Sequence, residues 1–174
     1  MSKKWAIGGP ESSGKTTLSL QLAHHYHGEV VPEMARIYLE KHGPDYQIED
    51  LNRISELQYQ ALEAAENKFP EKVLVCDTEW VNLLLWSRIK YGKVDADILH
   101  KARTTKFDVL FLCAPDIPWE ADPLREHPHA RPWLWVAWLE TLRTLGIPFV
   151  PLYGTQKFEQ ACKHIESGHR PDLK

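Results

Sequence analysis

The sequence predicts an α/β fold in which a doubly wound, mainly parallel sheet of five strands lies between two layers of helices. Short apolar segments alternate along the chain with longer stretches of helical periodicity, which is the pattern of consecutive βαβ units. The segment at 73–76 is apolar throughout, as expected of a parallel strand covered on both faces. At 174 residues, the chain fits one domain with one hydrophobic core, spanning 1–174.

The predicted strands end at residues that interrupt a sheet. These strands lie at 5–7, 30–31, 73–76, 109–113 and 149–153. The first runs into Gly8 and Gly9, the second stops at Pro32, and the third is followed directly by Asp77. Pro151 cannot donate a backbone hydrogen bond, so the fifth strand is expected at an edge of the sheet.

Helical spacing of apolar residues predicts six helices, at 15–26, 33–41, 48–68, 81–91, 133–145 and 158–165. Gly28, Gly43, Gly92 and Gly146 follow four of them, where glycine commonly ends a helix. The proline-rich stretch at 114–132 lacks clear periodicity, which makes it a candidate mobile lid.

Composition excludes several classes of partner. The formal net charge of −3 gives no basic excess for nucleic acid. The chain has neither a signal-like apolar segment nor a run long enough to span a bilayer. We therefore expect a cytoplasmic protein that contacts neither nucleic acid nor membrane and whose partner is a small molecule. The sequence leaves its oligomeric state open.

Residues 9–16 read GPESSGKT and match the phosphate-binding motif G-x-x-x-x-G-K-[ST] in full. A predicted strand precedes the motif and a predicted helix follows it, as a P-loop requires. Such a loop aims backbone N–H groups at phosphates, its lysine reaches the β- and γ-phosphates, and its threonine hydroxyl binds Mg²⁺. We therefore predict binding of ATP and Mg²⁺ by Gly9, Ser12, Ser13, Gly14, Lys15, Thr16 and Thr17.

Two carboxylates follow predicted strands, at the sheet edge where open α/β folds bind ligands. Asp77 is predicted to hold the metal with Thr16, although an aspartate there could instead cap the next helix. Glu33 is predicted to act as a base or to orient an acceptor hydroxyl, or else to be an acidic residue of a first helical turn. Arg36, one turn later, could hold substrate or pair with Glu33.

The motif is shared by GTPases, but the other GTPase signals are missing. The letters of a guanine-reading motif at 105–108 precede their strand instead of following it, and no D-x-x-G follows Asp77. A small-molecule kinase also needs arginines that close over the phosphates. Arg125 and Arg131 lie in the candidate lid, so we predict Arg125 as catalytic and Arg131 as cofactor-binding, or both as partners of nearby acidic residues.

Together these motifs resemble the nicotinamide riboside kinases of the bacterial NadR type. The resemblance covers most of the chain and rests on GPESSGKTT at 9–17, VPEMAR at 31–36, CDTE at 76–79, CAPDIPW at 113–119 and DPLRE at 122–126. It implies a P-loop kinase architecture and transfer of the γ-phosphate of ATP to the 5′-hydroxyl of nicotinamide riboside, a step of NAD biosynthesis. Kinases of another nucleoside or nucleotide, or a nucleotide-binding regulatory module, remain alternatives.

The resemblance also assigns residues. It implies that Glu33 and Asp77 face the ribose hydroxyls and metal, that Arg125 belongs to the lid, and that Tyr153, Gly154 and Thr155 border the adenine. The family often has Asp-Thr-Asp at the positions that correspond to 77–79, whereas this chain has Asp-Thr-Glu. The longer side chain of Glu79 changes the reach of the second carboxylate on the acceptor side. Few residues precede the P-loop, so we do not expect the adenylyl transfer of multidomain relatives.

The chain contains seven tryptophans, many for its length. Trp80 and Trp119 flank predicted sheet ends, where a flat ring could stack on them, although large aromatic residues more often fill cores. We keep both as candidate substrate contacts.

Overall fold

A computed structural model of the protein describes residues 2–124 and 129–168 and contains a central five-stranded sheet. In chain order the strands are β1 (Lys4–Gly8), β2 (Glu29–Val31), β3 (Leu74–Asp77), β4 (Val109–Cys113) and β5 (Val150–Leu152). Their order in the sheet is β2-β3-β1-β4-β5, and all four neighbouring pairs are parallel. The predicted doubly wound fold is confirmed, and so is the edge position of the strand that contains Pro151.

The helices are α1 (Lys15–His25), α2 (Met34–His42), α3 (Ile48–Lys68), α4 (Trp80–Tyr91), α5 (Ala96–Thr104), α6 (Arg131–Leu145) and α7 (Lys157–Ser167). Six of them match predicted helices to within two residues at either end. Helix α6 begins inside the stretch predicted as a lid, whereas residues 114–124 form neither helix nor strand. No helix in the described ranges has the length and apolar character needed to cross a membrane.

Sequence reasoning missed α5. Its N-cap Asp95 accepts hydrogen bonds from the backbone N–H groups of Asp97 and Ile98, at 2.9 and 3.1 Å. The helix buries only Ile98 and Ala102, one turn apart, so its apolar periodicity is too short to detect. The aspartate cap was the available signal.

Side chains alternate between the two faces of the sheet and form two core clusters. In β1, Trp5 and Ile7 belong to one cluster and Ala6 to the other. Helices α1 and α7 supply buried residues to the Trp5 side, and α2 to α6 supply them to the Ala6 side. This is the expected three-layer α/β/α arrangement, and it leaves the carboxyl edge of the strands for the connecting loops.

Helix α6 packs directly on the end of the central strand through Trp138, which is 1% exposed. A Cβ atom added to Gly8 would lie 2.9 Å from the Trp138 ring, so only glycine lets the ring approach the backbone this closely. The ring therefore supports the turn from which the P-loop begins. On the same helix Trp133 is 55% exposed.

These two tryptophans provide a matched test of the packing. Trp138→Ala should lower the free energy of unfolding by about 3–5 kcal/mol, because it opens a large cavity under β1. Trp133→Ala should change it by no more than about 0.5 kcal/mol. Urea unfolding followed by circular dichroism measures both, and equal losses would contradict this account.

Candidate functional site

The loop between β1 and α1 adopts backbone conformations that its glycines permit. Gly9 has φ 134°, and a Cβ atom there would lie 2.5 Å from the carbonyl oxygen of Cys113, at the end of β4. Gly14 has φ 86°, in the left-handed region, immediately before the first residue of α1. Both positions therefore exclude larger residues, and the turn brings the N-terminus of α1 to the carboxyl edge of the sheet.

The loop is closed by its own side chains. The Lys15 ammonium donates to the carbonyl oxygens of Gly9 at 3.0 Å and Pro10 at 2.8 Å. The buried hydroxyl of Ser13 also donates to Pro10, at 2.8 Å. Lys15 thus lies over the loop, with its charge at the mouth of a ring of backbone groups suited to a phosphate.

Asp77 is the last residue of β3, is paired in register with Ile7, and is 4% exposed. Burial raises the pKa of its carboxyl, while the Thr16 hydroxyl and the charges of Lys15 and Arg36 act in the opposite direction. Its Oδ1 atom has no hydrogen-bond partner among the described residues. A buried carboxylate oxygen beside a threonine hydroxyl is a donor set that fits Mg²⁺. The capping alternative is wrong, because Glu79 is the N-cap of α4.

Glu33 follows β2 as the half-buried N-cap of α2, and its side chain makes no capping hydrogen bond. Burial raises the pKa of its carboxyl to about 7, an effect that the nearby Lys15 opposes and the charge of Asp77 reinforces. A carboxyl group that titrates near neutral pH is suited to accept a proton from a hydroxyl group.

Residue 78 adds strain beside these carboxylates. Thr78 has φ 78°, which is costly for a β-branched residue, and its backbone N–H donates to the Ile7 carbonyl at 3.0 Å. The side-chain oxygens Asp77 Oδ1, Thr78 Oγ1 and Glu79 Oε1 are all buried without a partner among the described residues. Because each buried polar atom without a partner costs free energy, three of them in consecutive residues make this turn a destabilising feature of the fold. Nothing in the sequence pattern predicted the strain.

The described part of the predicted lid contacts the P-loop. The Ser12 hydroxyl accepts from the backbone N–H of Glu120 at 2.9 Å. Arg131 donates to the carbonyl oxygens of Ser12 and Ile117, each at 3.0 Å. The Arg131 guanidinium also lies 5.6 Å from the ring centroid of Trp119, in cation–π contact. Arg131 is therefore held at the phosphate loop, whereas Arg125 lies outside the described residues.

Arg36 connects α2 to the same segment. Its guanidinium pairs with Asp122 at 2.8 Å and with Glu40 at 3.1 Å. The alternative in which Arg36 simply pairs with Glu33 is thus not the observed arrangement, and Arg36 borders the cavity beside the P-loop.

Two adjoining cavities open beside the P-loop. We call the first the phosphate cleft, which is lined by Glu11, Ser12, Ser13, Gly14, Lys15, Thr16, Thr17, Glu33, Arg36, Leu39, Asn82, Trp86, Ile117, Glu120 and Leu124. We call the second the aromatic recess, which is lined by Pro10, Glu11, Leu39, Pro44, Tyr46, Asn82, Trp86, Ile89, Lys90, Leu124, Leu134 and Trp138. Because they share five residues, they form one continuous site with a polar half and a largely apolar half.

Trp86, which the sequence reading missed, is the tryptophan of α4 that borders both cavities. The prediction that Trp80 contacts substrate is wrong: it is 1% exposed, and its indole N–H donates to Ser55 in the core. Trp119 borders neither cavity in the described structure and instead stacks with Arg131. The spacing of Asn82, Trp86 and Lys90 along the predicted helix was the signal that could have identified this face.

Glu79 also differs from its predicted place on the acceptor side. It is 3% exposed, its Oε2 accepts from the backbone N–H of Val81 at 2.8 Å, and it borders neither the phosphate cleft nor the aromatic recess. Burial raises the pKa of its carboxyl to about 8. Glu79 therefore caps α4 as a group that is largely protonated at neutral pH.

The loop after β5 is fixed to the end of β4. Asp116 accepts from the backbone N–H of Gly154 at 2.6 Å and from the Lys157 ammonium at 2.8 Å. Tyr153 is exposed at the surface beside Trp135, with ring centroids 6.0 Å apart. That Tyr153, Gly154 and Thr155 border an adenine stays a prediction.

Residues 4–160 match the protein family described as AAA domain. The chain belongs to this family. It is also similar to the trifunctional NAD biosynthesis/regulator protein NadR of Escherichia coli K12 and of Salmonella typhimurium LT2. Identity to each is 32% over 124 residues, which is 69% of this chain and 30% of the relative. The resemblance to NadR stated from the sequence is confirmed, and the chain spans about a third of the length of these curated relatives.

Solved structures agree on the fold. A crystal structure of NadR protein in complex with NR superimposes with a TM-score of 0.82 at 18% identity, over 98% of this chain and 52% of that one. NadR protein in complex with NAD and AMP-PNP gives 0.79 at 19% identity, over 98% and 51%. Deoxyadenosine kinase from M. mycoides, with products dCMP and dCDP, gives 0.62 at 15% identity, over 94% and 99%. All three share the P-loop α/β architecture with this chain.

The buried Glu79 carboxyl predicts pH-dependent stability. Its folded-state pKa of about 8 lies above the ordinary value of 4.5. The contribution of the protonated Glu79 carboxyl to the free energy of unfolding is therefore fully present below pH 4.5 and is lost as the pH rises through about 8. Glu79→Gln keeps an acceptor for Val81 N–H without the charge. The variant should be close to the parent in stability at pH 5 and more stable by about 1–3 kcal/mol at pH 9.

Thermal or urea unfolding at the two pH values measures this difference. Glu140→Gln, at an exposed position on α6, is the matched control and should show no such pH-dependent gain. A constant offset between parent and Glu79→Gln at both pH values would contradict the buried, protonated carboxyl.

Proposed function

We propose that this chain is an ATP-dependent kinase that phosphorylates the 5′-hydroxyl of a nucleoside, with nicotinamide riboside as acceptor and nicotinamide mononucleotide as product. One observation carries the proposal: Lys15 and Glu33 line a cleft that continues from the P-loop into the aromatic recess, and the buried Asp77 lies beside Thr16 and Lys15. A hydrolase that needs only nucleotide and water has no use for an apolar recess at this place. The similarity to NadR supports the choice of acceptor.

On this proposal the polar half of the site binds the donor. The N–H groups of the P-loop and the Lys15 ammonium hold the β- and γ-phosphates, and Arg131 lies close enough to the loop to add positive charge. Thr16 and Asp77 would hold Mg²⁺, which when bound neutralises phosphate charge. The 114–124 segment covers the loop and reduces the access of water to the transferring group.

The other half binds and activates the acceptor. Glu33 accepts the proton of the 5′-hydroxyl as its oxygen attacks the γ-phosphorus, and the bond to the β-phosphate oxygen breaks to release ADP. The ring of the nucleoside packs against Trp86 in the recess, where the Asn82 amide offers both a donor and an acceptor. The neighbouring Leu39 and Leu124 exclude water from the ribose.

The assignment is tested with a coupled ADP-release assay on a nucleoside panel that includes nicotinamide riboside, deoxyadenosine, thymidine and uridine. Acceleration by nicotinamide riboside supports the proposal. Acceleration only by another nucleoside would assign the kinase a different acceptor. ADP release that ignores every acceptor would instead indicate a nucleotide-hydrolysing regulatory module and overturn the kinase.

Lys15→Ala should abolish acceptor-dependent ADP release, because the variant loses the charge that binds the β- and γ-phosphates. Lys41→Ala removes an exposed lysine from the last turn of α2 and should retain parental activity. Circular dichroism verifies that both variants are folded. Activity in folded Lys15→Ala would reject the phosphate-site assignment.

Glu33→Gln should lower kcat about 10²–10⁴-fold and leave ATP affinity nearly unchanged, because the acceptor hydroxyl loses its base. In the parent, kcat/KM should rise with pH through about 7, as the carboxyl ionises, and should level off above. The variant should lack this rise. Glu40→Gln, on the exposed face of the same helix, is the control; a parental pH profile in Glu33→Gln would assign the base elsewhere.

A further inference from the structure

One face of α4 presents three chemically different side chains to the site. Asn82, Trp86 and Lys90 follow one another at intervals of four residues, so they lie on the same side of the helix. Asn82 and Trp86 border both the phosphate cleft and the aromatic recess, whereas Lys90 borders the recess alone. An amide, an indole and an ammonium thus line the site in that order.

The order has a direction. Helix α4 begins three residues after Asp77, so this face runs outward from the carboxyl edge of the sheet. From Asn82 to Lys90 the helix rises by about 12 Å, at 1.5 Å per residue. An acceptor with its hydroxyl group near Glu33 in the phosphate cleft and its ring on Trp86 therefore directs the far side of the ring toward Lys90.

Lys90 is held at the recess by aromatic contacts. Its ammonium lies 3.5 Å from the ring centroid of Tyr46, a cation–π contact. Tyr46 is in turn stacked on Trp86, with centroids 5.6 Å apart and an interplanar angle of 26°. The exposed Lys90 side chain is thus held with its charge at the aromatic side of the recess, in place for a ligand that enters it.

Charge in the recess is sparse and of both signs. Among the described residues that line it, only Glu11 and Lys90 are charged. Glu11 also lines the phosphate cleft, so the negative group lies on the side shared with the P-loop. A ring with a positive centre and a negative substituent on its far side matches this distribution.

We propose that Lys90 is a specificity residue that binds a carboxylate on the ring of the acceptor, so that the site accepts a zwitterionic pyridinium nucleoside carrying a ring carboxylate. This inference rests on the proposed nucleoside kinase function and names the acceptor class further. A carboxamide oxygen can also accept from the Lys90 ammonium, but a carboxylate forms the stronger, charge-assisted hydrogen bond. Lys90 therefore favours the acid over the amide within the same ring system.

The proposal is tested with nicotinic acid riboside and nicotinamide riboside, which share a ring and a sugar and differ only in carboxylate against carboxamide. In the parent protein both should be phosphorylated. Lys90→Met should lower the ratio of kcat/KM for the acid to kcat/KM for the amide about tenfold, the difference between a charge-assisted and a neutral hydrogen bond. Lys90→Glu should lower it further. Lys93→Met removes the same charge from an exposed position just beyond α4 and should leave the ratio unchanged.

If Lys90 only covered the Tyr46 ring, its loss would affect both acceptors alike, and the ratio of their kcat/KM values would not change. An unchanged ratio in Lys90→Met, or an equal change in Lys93→Met, would overturn the proposal. Calorimetric binding of the two nucleosides keeps the test independent of turnover. If no acceptor is phosphorylated, the kinase function fails, but tighter binding of the acid that is lost in Lys90→Met still supports the carboxylate site. Absence of binding by the acid overturns it.

Discussion

The central position of β1 is the constraint on which the rest of the site depends. Strands β3 and β4 pair with its two edges, so the loop that follows β1 emerges between the ends of both. On one side the backbone of Gly9 lies close to the Cys113 carbonyl at the end of β4, and on the other side Asp77 of β3 is paired with Ile7. The chain runs from β1 to β2 in one half of the sheet and later crosses from β3 to β4 in the other half, so the strand order reverses beside β1 and creates the crevice where ligands bind in such folds. The pairing of β1 with β3 is therefore sufficient to place the Asp77 carboxylate beside the P-loop.

The same arrangement puts charged groups where burial opposes their ionisation. Glu33, Asp77 and Glu79 all have carboxyl pKa values raised by burial, and Thr78 between the last two has strained backbone. In a protein of ordinary marginal stability such features cost free energy, and cores made of Trp138, Phe111 and the aliphatic side chains offset them. The three residues lie in different surroundings: Glu33 lines the phosphate cleft, Asp77 lies beside the Thr16 hydroxyl of the P-loop, and Glu79 caps the start of α4. Position after a strand alone does not separate these roles.

Features that are local in the sequence could be predicted from it, whereas features that depend on tertiary packing could not. Strand ends, glycine turns and the P-loop are local features, so β1 to β5, Lys15, Asp77 and Glu33 could be located from the order of residues alone. The buried position of Trp80 could not be predicted, because the direction of a side chain at the start of a helix depends on the preceding turn. That turn contains Thr78, whose positive φ is not predicted by its residue type. The recess is non-local: Tyr46 comes from the segment between α2 and α3, Trp86 from α4 and Trp138 from α6. Their meeting depends on helix packing, which periodicity does not encode.

Contacts between the loops link the two halves of the site. The Ser12 carbonyl accepts from Arg131, which also donates to the Ile117 carbonyl, and the Ser12 hydroxyl accepts from the backbone N–H of Glu120, so the P-loop is linked to the 114–124 segment both through Arg131 and directly. Two residues farther along, Asp122 holds Arg36 beside the cleft, and Leu124 borders both cavities. A shift of the P-loop on binding phosphates must therefore move or break bonds to the segment that lines the recess. Each is worth about 1 kcal/mol, enough for the state of one half to bias the other without any rearrangement of the sheet.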